Sequence, residues 1–107
     1  MNEFTKRGEA FESKFAHEEA LRFKAIARRN KLLGLWAAQR LGKAGADAEA
    51  YARAMGIASF EEPGDEGVIR KVASDLHAAK LPSDERQIRR VLEDLMSRAF
   101  DEIKAGL

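Results

Sequence analysis

Between its glycine and proline clusters, the chain repeats its apolar residues with the period of an α-helix. The last segment is the clearest. Ile88, Val91, Leu92, Leu95, Ala99 and Ile103 step as i, i+3, i+4, i+7, i+11 and i+15, which is one helical stripe. Leu81-Pro82-Ser83-Asp84-Glu85 marks its start, with Ser83 as the expected N-cap and two acids suited to the positive end of the helix dipole. Gly106 marks its end. Upstream, Val68, Ile69, Val72, Ala73 and Leu76 form a second stripe, stopped by Pro82. Ala48, Tyr51, Ala52 and Met55 form a shorter third, with Asp47 as expected N-cap and Gly56 near its end.

The first segment behaves differently. No proline interrupts residues 3–41, and the interior glycines are Gly8 and Gly34. A helix of about 39 residues would reach roughly 58 Å, far longer than the other three. Its halves differ in character. Residues 21–41 carry Phe23, Ile26, Ala27, Leu33, Ala37 and Leu41 on one side, while Leu32, Leu35 and Trp36 widen the apolar surface, so this half is expected to be buried. Residues 1–18 offer Phe4, Phe11 and Phe15 in a narrow stripe among charges, too little to secure a helix without a partner. With no strand-like alternation anywhere, the expectation is an all-α four-helix bundle. Its long first helix would overhang, and the overhanging part would be loose when unbound. The expected division is a mobile segment over residues 1–18 and a helical bundle over residues 19–107.

Composition narrows the function. The 107 residues hold 19 Lys plus Arg against 18 Asp plus Glu, a net charge of +1 that argues against a general nucleic-acid coat. Absence of cysteine removes disulfides, thiol nucleophiles and Cys-based metal sites. No apolar run is long enough for a membrane span, and the N-terminus has charges where a signal peptide needs apolar residues, so the expectation is a cytoplasmic protein without direct membrane insertion.

Little in the chain points to catalysis. His17-Glu18-Glu19 lacks the H-E-x-x-H spacing, and with His77 it reads as two solvated or half-buried histidines. Glu61-Glu62-Pro63-Gly64-Asp65-Glu66 departs from the Ca²⁺-loop pattern and reads as a turn followed by acids at a helix N-terminus. Gly42-Lys43-Ala44-Gly45 lacks the P-loop spacing. No serine shows a matching His and Asp arrangement, so a small enzyme ranks last among the readings. The densest cationic cluster is Arg28-Arg29-Asn30-Lys31. Residues 1–31 hold eight basic side chains against five acidic ones, a local excess able to dock on an acidic surface or hold a nucleotide phosphate. A solvated helix face is the commoner explanation of such a cluster. Asn30 stands apart: it shares the side of Ile26, Leu33 and Ala37, and a half-buried amide there needs a partner.

Phe15-Ala16-His17, Phe23-Lys24, the run Ala27-Arg28-Arg29-Asn30-Lys31-Leu32-Leu33-Gly34-Leu35-Trp36-Ala37, Leu41-Gly42-Lys43 and the Glu-Glu-Pro-Gly-Asp-Glu loop after Phe60 together resemble a known family. That family is the ζ subunit of alphaproteobacterial F-type ATP synthases, and the resemblance covers essentially the whole chain. It implies a non-enzymatic four-helix inhibitor of ATP hydrolysis. The N-terminal helix would insert at a catalytic α/β interface against the γ shaft, opposing hydrolytic rotation. Carried onto this chain, the inserting residues are Phe4, Lys6, Arg7, Phe11, Lys14 and Phe15. The phenylalanines would fill apolar pockets and the cations would set register. Trp36 and the leucines would hold the bundle together.

The resemblance further implies ATP or ADP as a ligand near Arg28, Arg29 and Asn30, with no required cofactor. The implied partners are the α, β and γ subunits of the catalytic head, and no nucleic acid. The free protein would be a monomer, held at the inner membrane only through the synthase. The alternative reading is a nucleotide-responsive docking module with weak or no inhibition.

Overall fold

Four helices follow one another in a computed structural model: α1 (Glu3–Arg40), α2 (Gly45–Ala58), α3 (Glu66–Ala78) and α4 (Glu85–Lys104). The structure describes the backbone of residues 3–58, 61–62 and 64–106, and the side chains of those from residue 17 onward. The fold is all-α, as the periodicity predicts.

α1 contains 38 residues, about 57 Å of helix. It ends at Gly42, whose φ of +77° is the left-handed conformation that glycine adopts without penalty. There the Lys43 amide donates to the Ala38 carbonyl at 2.9 Å and the Gly42 amide to the Gln39 carbonyl at 3.1 Å, a Schellman closure. α3 closes in the same way, with the Leu81 amide on Leu76 and the Lys80 amide on His77, both at 2.9 Å. Here, however, the left-handed residue is Lys80, at φ +60°.

Two helix starts differ from expectation, by one residue at α4 and by three at α2. α4 is capped by Asp84, whose extended backbone aims Oδ1 at the Arg86 amide, 2.9 Å away, while Ser83 lies one position too early. α2 begins at Gly45, whose φ is +55°, rather than after Asp47. Asp47 falls within the first turn, still near the positive end of the dipole.

All four helices contribute to one core. Leu33 and Ala37 from α1 meet Met55 from α2, Val68, Ile69, Val72 and Leu76 from α3, and Ile88 and Leu92 from α4. Trp36, Tyr51, Val91 and Leu95 pack against its edges. Each fully buried aliphatic side chain of this kind stabilises the fold by about 1.5–3 kcal/mol. α1 and α2 touch backbone to backbone at Gly34, where a Cβ would stand 2.7 Å from the Ala52 Cα.

This core occupies only the C-terminal part of α1. His17, Glu18, Glu19 and Ala20 are exposed, Leu21 is half-buried, and Ala25 is the first fully buried residue among those described. Glu3 precedes Ala25 by about 33 Å of helix. The molecule accordingly measures 65 × 25 × 21 Å. One expectation fails at this boundary: Phe23 is 59% exposed rather than buried. It lies beside Ile103 and Gly106 at the C-terminal end of α4, and α1 runs on past that end.

Candidate functional site

The region where α1 leaves the bundle gathers the cations that the sequence singles out. Arg28 and Arg29 are adjacent, and the helix turns their side chains about 100° apart. Their fates differ accordingly. Arg28 reaches α4, where its Nε donates to Glu102 Oε2 at 3.0 Å. The second carboxylate oxygen of Glu102 accepts from Arg98 Nε, also at 3.0 Å. Arg29 turns inward and is only 7% exposed. A buried guanidinium needs a counter-charge and several acceptors. Arg29 finds both: Nη2 donates to Asp65 Oδ1 at 2.6 Å and Nη1 to Asp65 Oδ2 at 3.4 Å, while Nε and Nη2 reach Asn30 Oδ1 at 3.2 and 3.1 Å.

The expectation of a solvated cationic face is therefore corrected at Arg29, because the loop before α3 brings a carboxylate against it. Asn30, 2% exposed, is buried as its position predicts, and the partner its amide needs is the preceding residue. Among the described residues no buried side-chain nitrogen or oxygen lacks a partner. Of the three residues implied in nucleotide docking, Arg29 and Asn30 face the interior and Arg28 keeps a third of its side chain exposed.

The acidic loop ties helices together. Asp65 occupies the N-cap position of α3 but makes no capping bond: its backbone is helical rather than extended, and its carboxylate pairs with Arg29. Glu66 accepts from Arg89 Nη2 of α4 at 2.7 Å, and Glu62 pairs with Arg70 at 3.4 Å. Hydrogen bonding and charge from Glu66 raise the Arg89 pKa further. Between α2 and α3, the Tyr51 hydroxyl donates to Asp75 Oδ2 at 2.7 Å. Burial, then that hydrogen bond and the Asp75 charge, push the phenol well above its ordinary value. His17 and His77 are both exposed, and no group of three or more metal-ligating side chains converges among the described residues.

Beside Arg28 opens a groove of about 440 Å³, lined by Phe23, Lys24, Ala27, Arg28, Ile103 and Gly106. No local spacing in the sequence marks it. Phe23 and Ile103 are 80 positions apart, and only the docking of α4 on α1 brings them together. Phe4, Lys6, Arg7, Phe11, Lys14 and Phe15 fall within the bounds of α1, but their side chains lie outside the described residues, as do Phe60 and Pro63 of the loop. No described helix is long and apolar enough to cross a membrane.

Comparison with known proteins fits this architecture. No curated protein matches the chain. A chain described by a solution NMR structure is similar, at 46% identity and a TM-score of 0.71, over 81% of this chain and 99% of that one. A family model described as ATPase inhibitor subunit zeta matches residues 1–102. A projecting helix on a small bundle, with its cations used for internal bracing, is thus accounted for: the chain belongs to the ATPase inhibitor subunit zeta family, regulatory proteins rather than enzymes, whose target is the F-type ATP synthase.

Proposed function

We propose that this chain inhibits ATP hydrolysis by inserting the N-terminal part of α1, residues 1–18, at a catalytic α/β interface of the synthase's head against the γ shaft. The observation that carries this reading is the reach of α1, whose first fully buried described residue is Ala25 while the helix starts at Glu3. A rod of helix diameter, about 10–12 Å, fits a cleft that a bundle 21–25 Å across does not.

The division of labour follows from the chemistry. Phe4, Phe11 and Phe15 supply apolar anchors, and Lys6, Arg7 and Lys14 set the register. A segment with so sparse a stripe gains most of its helical stability from the partner, which couples ordering to binding. Residues 19–107 act as the anchored body. Arg29–Asp65 and Arg28–Glu102 brace α1 against α3 and α4, so that load on the rod reaches the core.

The test is ATP hydrolysis by the cognate soluble catalytic head, titrated with the full chain and with a chain starting at Glu18. The full chain should inhibit in a dose-dependent way. The shortened chain should keep its helical circular dichroism and thermal transition and lose at least about 100-fold in potency, as expected for loss of several anchors. Equal inhibition by both chains would refute the insertion reading.

A further inference from the structure

Leu21, Ala25, Arg29, Leu33, Ala37 and Leu41 recur at four-residue intervals and form one ridge along the packed part of α1 and its closing turn. Ala25, Leu33 and Ala37 are fully buried, and Leu21 and Leu41 are half-buried. Arg29 is the one polar member of the row, and it too is buried. A buried ion pair is not by itself a source of stability, since an apolar side chain there needs no counter-charge. Its best-attested use is to make one register of packed helices differ from the next.

The rest of the ridge does not make that distinction. After a slip of one turn, apolar side chains replace apolar side chains at every step that does not involve residue 29. Moved one way, Arg29 takes the place of Leu33, which is clustered with Val68, Ile69 and Ile88. Moved the other way, it reaches the level of Ala25, also fully buried. Either slip carries the guanidinium about 6 Å from the carboxylate of Asp65 that neutralises it. The other polar ties discriminate less. In the first slip Lys24 takes the level of Arg28 and can pair with Glu102, while Tyr51 and Asp75, both half-buried, can exchange their bond for water.

The connections set which helices can slide. Residues 41–44 join α1 to α2, and Gly34 brings the two backbones into contact, so this pair is locked. Residues 59–65 join α2 to α3, enough chain to follow a displacement of one turn. The open movement is a slide of the α1–α2 pair against α3 and α4, which shifts the projecting end of α1 past the end of α4 by about 6 Å. Arg29–Asp65 spans that interface.

We propose that Arg29, with Asn30 and Asp65, is a register key. It selects one alignment of the α1–α2 pair on α3 and α4, and so fixes how far α1 projects. The key acts in the free chain, whether or not α1 inserts into a partner.

The chain has no cysteine, so spin labels can be placed at Arg22→Cys and Arg90→Cys, both exposed, and the distance between them measured by double electron–electron resonance. The labelled parent should give one distance. Arg29→Met/Asn30→Leu/Asp65→Ala replaces the hydrogen-bonded trio with apolar side chains. This variant should keep its helical circular dichroism and its thermal transition, and add a second distance displaced by up to about 6 Å. Arg29→Lys, which leaves a cation in the ridge, should keep one distance. A triple variant with the parent's single distance would overturn the proposal, because apolar packing alone would then set the register. An unfolded triple variant would overturn it too, since the trio would then supply stability rather than alignment. Two distances for Arg29→Lys would show that a cation in the ridge does not exclude the slip, with the same consequence.

Discussion

The two ends of α1 share one backbone direction and have almost nothing else in common. Around residues 25–38 the helix is surrounded: Ala25, Leu33, Ala37 and Ala38 are fully buried, Arg29 and Asn30 are buried with their polar atoms bonded, and Gly34 lets α2 approach to backbone contact. Around residues 17–20 every side chain is exposed. Helix length and bundle size are therefore independent quantities. The helix runs on as long as no proline or glycine cap stops it, whereas the bundle ends where α4 ends. The difference between the two lengths is the projecting rod on which the inhibitory reading depends.

The largest contrast is expected when one large side chain is truncated at each end of α1 and the free chain is melted. Leu33→Ala should destabilise by about 2–5 kcal/mol, whereas Phe11→Ala should change stability by less than about 0.5 kcal/mol. A loss above about 1 kcal/mol for Phe11→Ala would mean that the leading end is packed in the free protein, and the contrast would collapse.

Next in size is the contact that holds the buried end against α2. Gly34→Ala forces a methyl group against the Ala52 backbone and should destabilise by about 1–3 kcal/mol, measured by denaturant titration. The same change at Gly8 should be neutral or slightly helix-favouring.

Asp65→Ala tests whether the bracing of α1 matters. It strands the Arg29 guanidinium, only 8% exposed, beside a lone amide oxygen. Breaking a fully buried pair costs about 3–5 kcal/mol, but the Asp65 side chain is 42% exposed, so about 1–3 kcal/mol is expected after solvent screening. Asp65→Asn should recover part of the loss by accepting one of the Arg29 bonds. A result below about 0.5 kcal/mol for Asp65→Ala would show that water replaces the carboxylate and that α1 is held by its apolar face alone.

The smallest effects concern the periphery of the bundle. The folded Tyr51 phenol has a raised pKa, so its contribution is complete below the unfolded value of about 10 and is lost as pH rises above it. Thermal transitions at pH 9 and 11 should differ more for the parent than for Tyr51→Phe. Lys80→Gly relieves a left-handed lysine at the end of α3 and should stabilise by about 0.5–1 kcal/mol, raising the melting temperature by a few degrees. A lower melting temperature would mean that the lysine stem contributes packing that outweighs its backbone strain.

Much of this architecture is local, and local features are legible in a sequence. The stripe from Ile88 to Ile103 specifies the buried face of α4 because side-chain direction along a helix follows from residue spacing alone. Asn30 could be placed in the interior for the same reason, and the block around Trp36 with the acidic loop was enough to suggest the family. Spacing does not carry the identity of the neighbour across the interface. Nothing near Arg29 indicates that Asp65, 36 positions away, neutralises it, and nothing near Gly34 indicates that Ala52 requires its missing side chain.

Phe23 shows the limit most clearly. Its period assigns it to the apolar side of α1, yet it is exposed because α4 stops beside it. Where helices form and which of their faces are apolar could be read from residue spacing, since both follow from backbone hydrogen bonding and the helical period. Packing between helices decided which arginine is buried, which glycine is indispensable and which apolar side chains stay largely exposed. Those outcomes depend on how far the neighbouring helix extends, and no residue's local spacing records that.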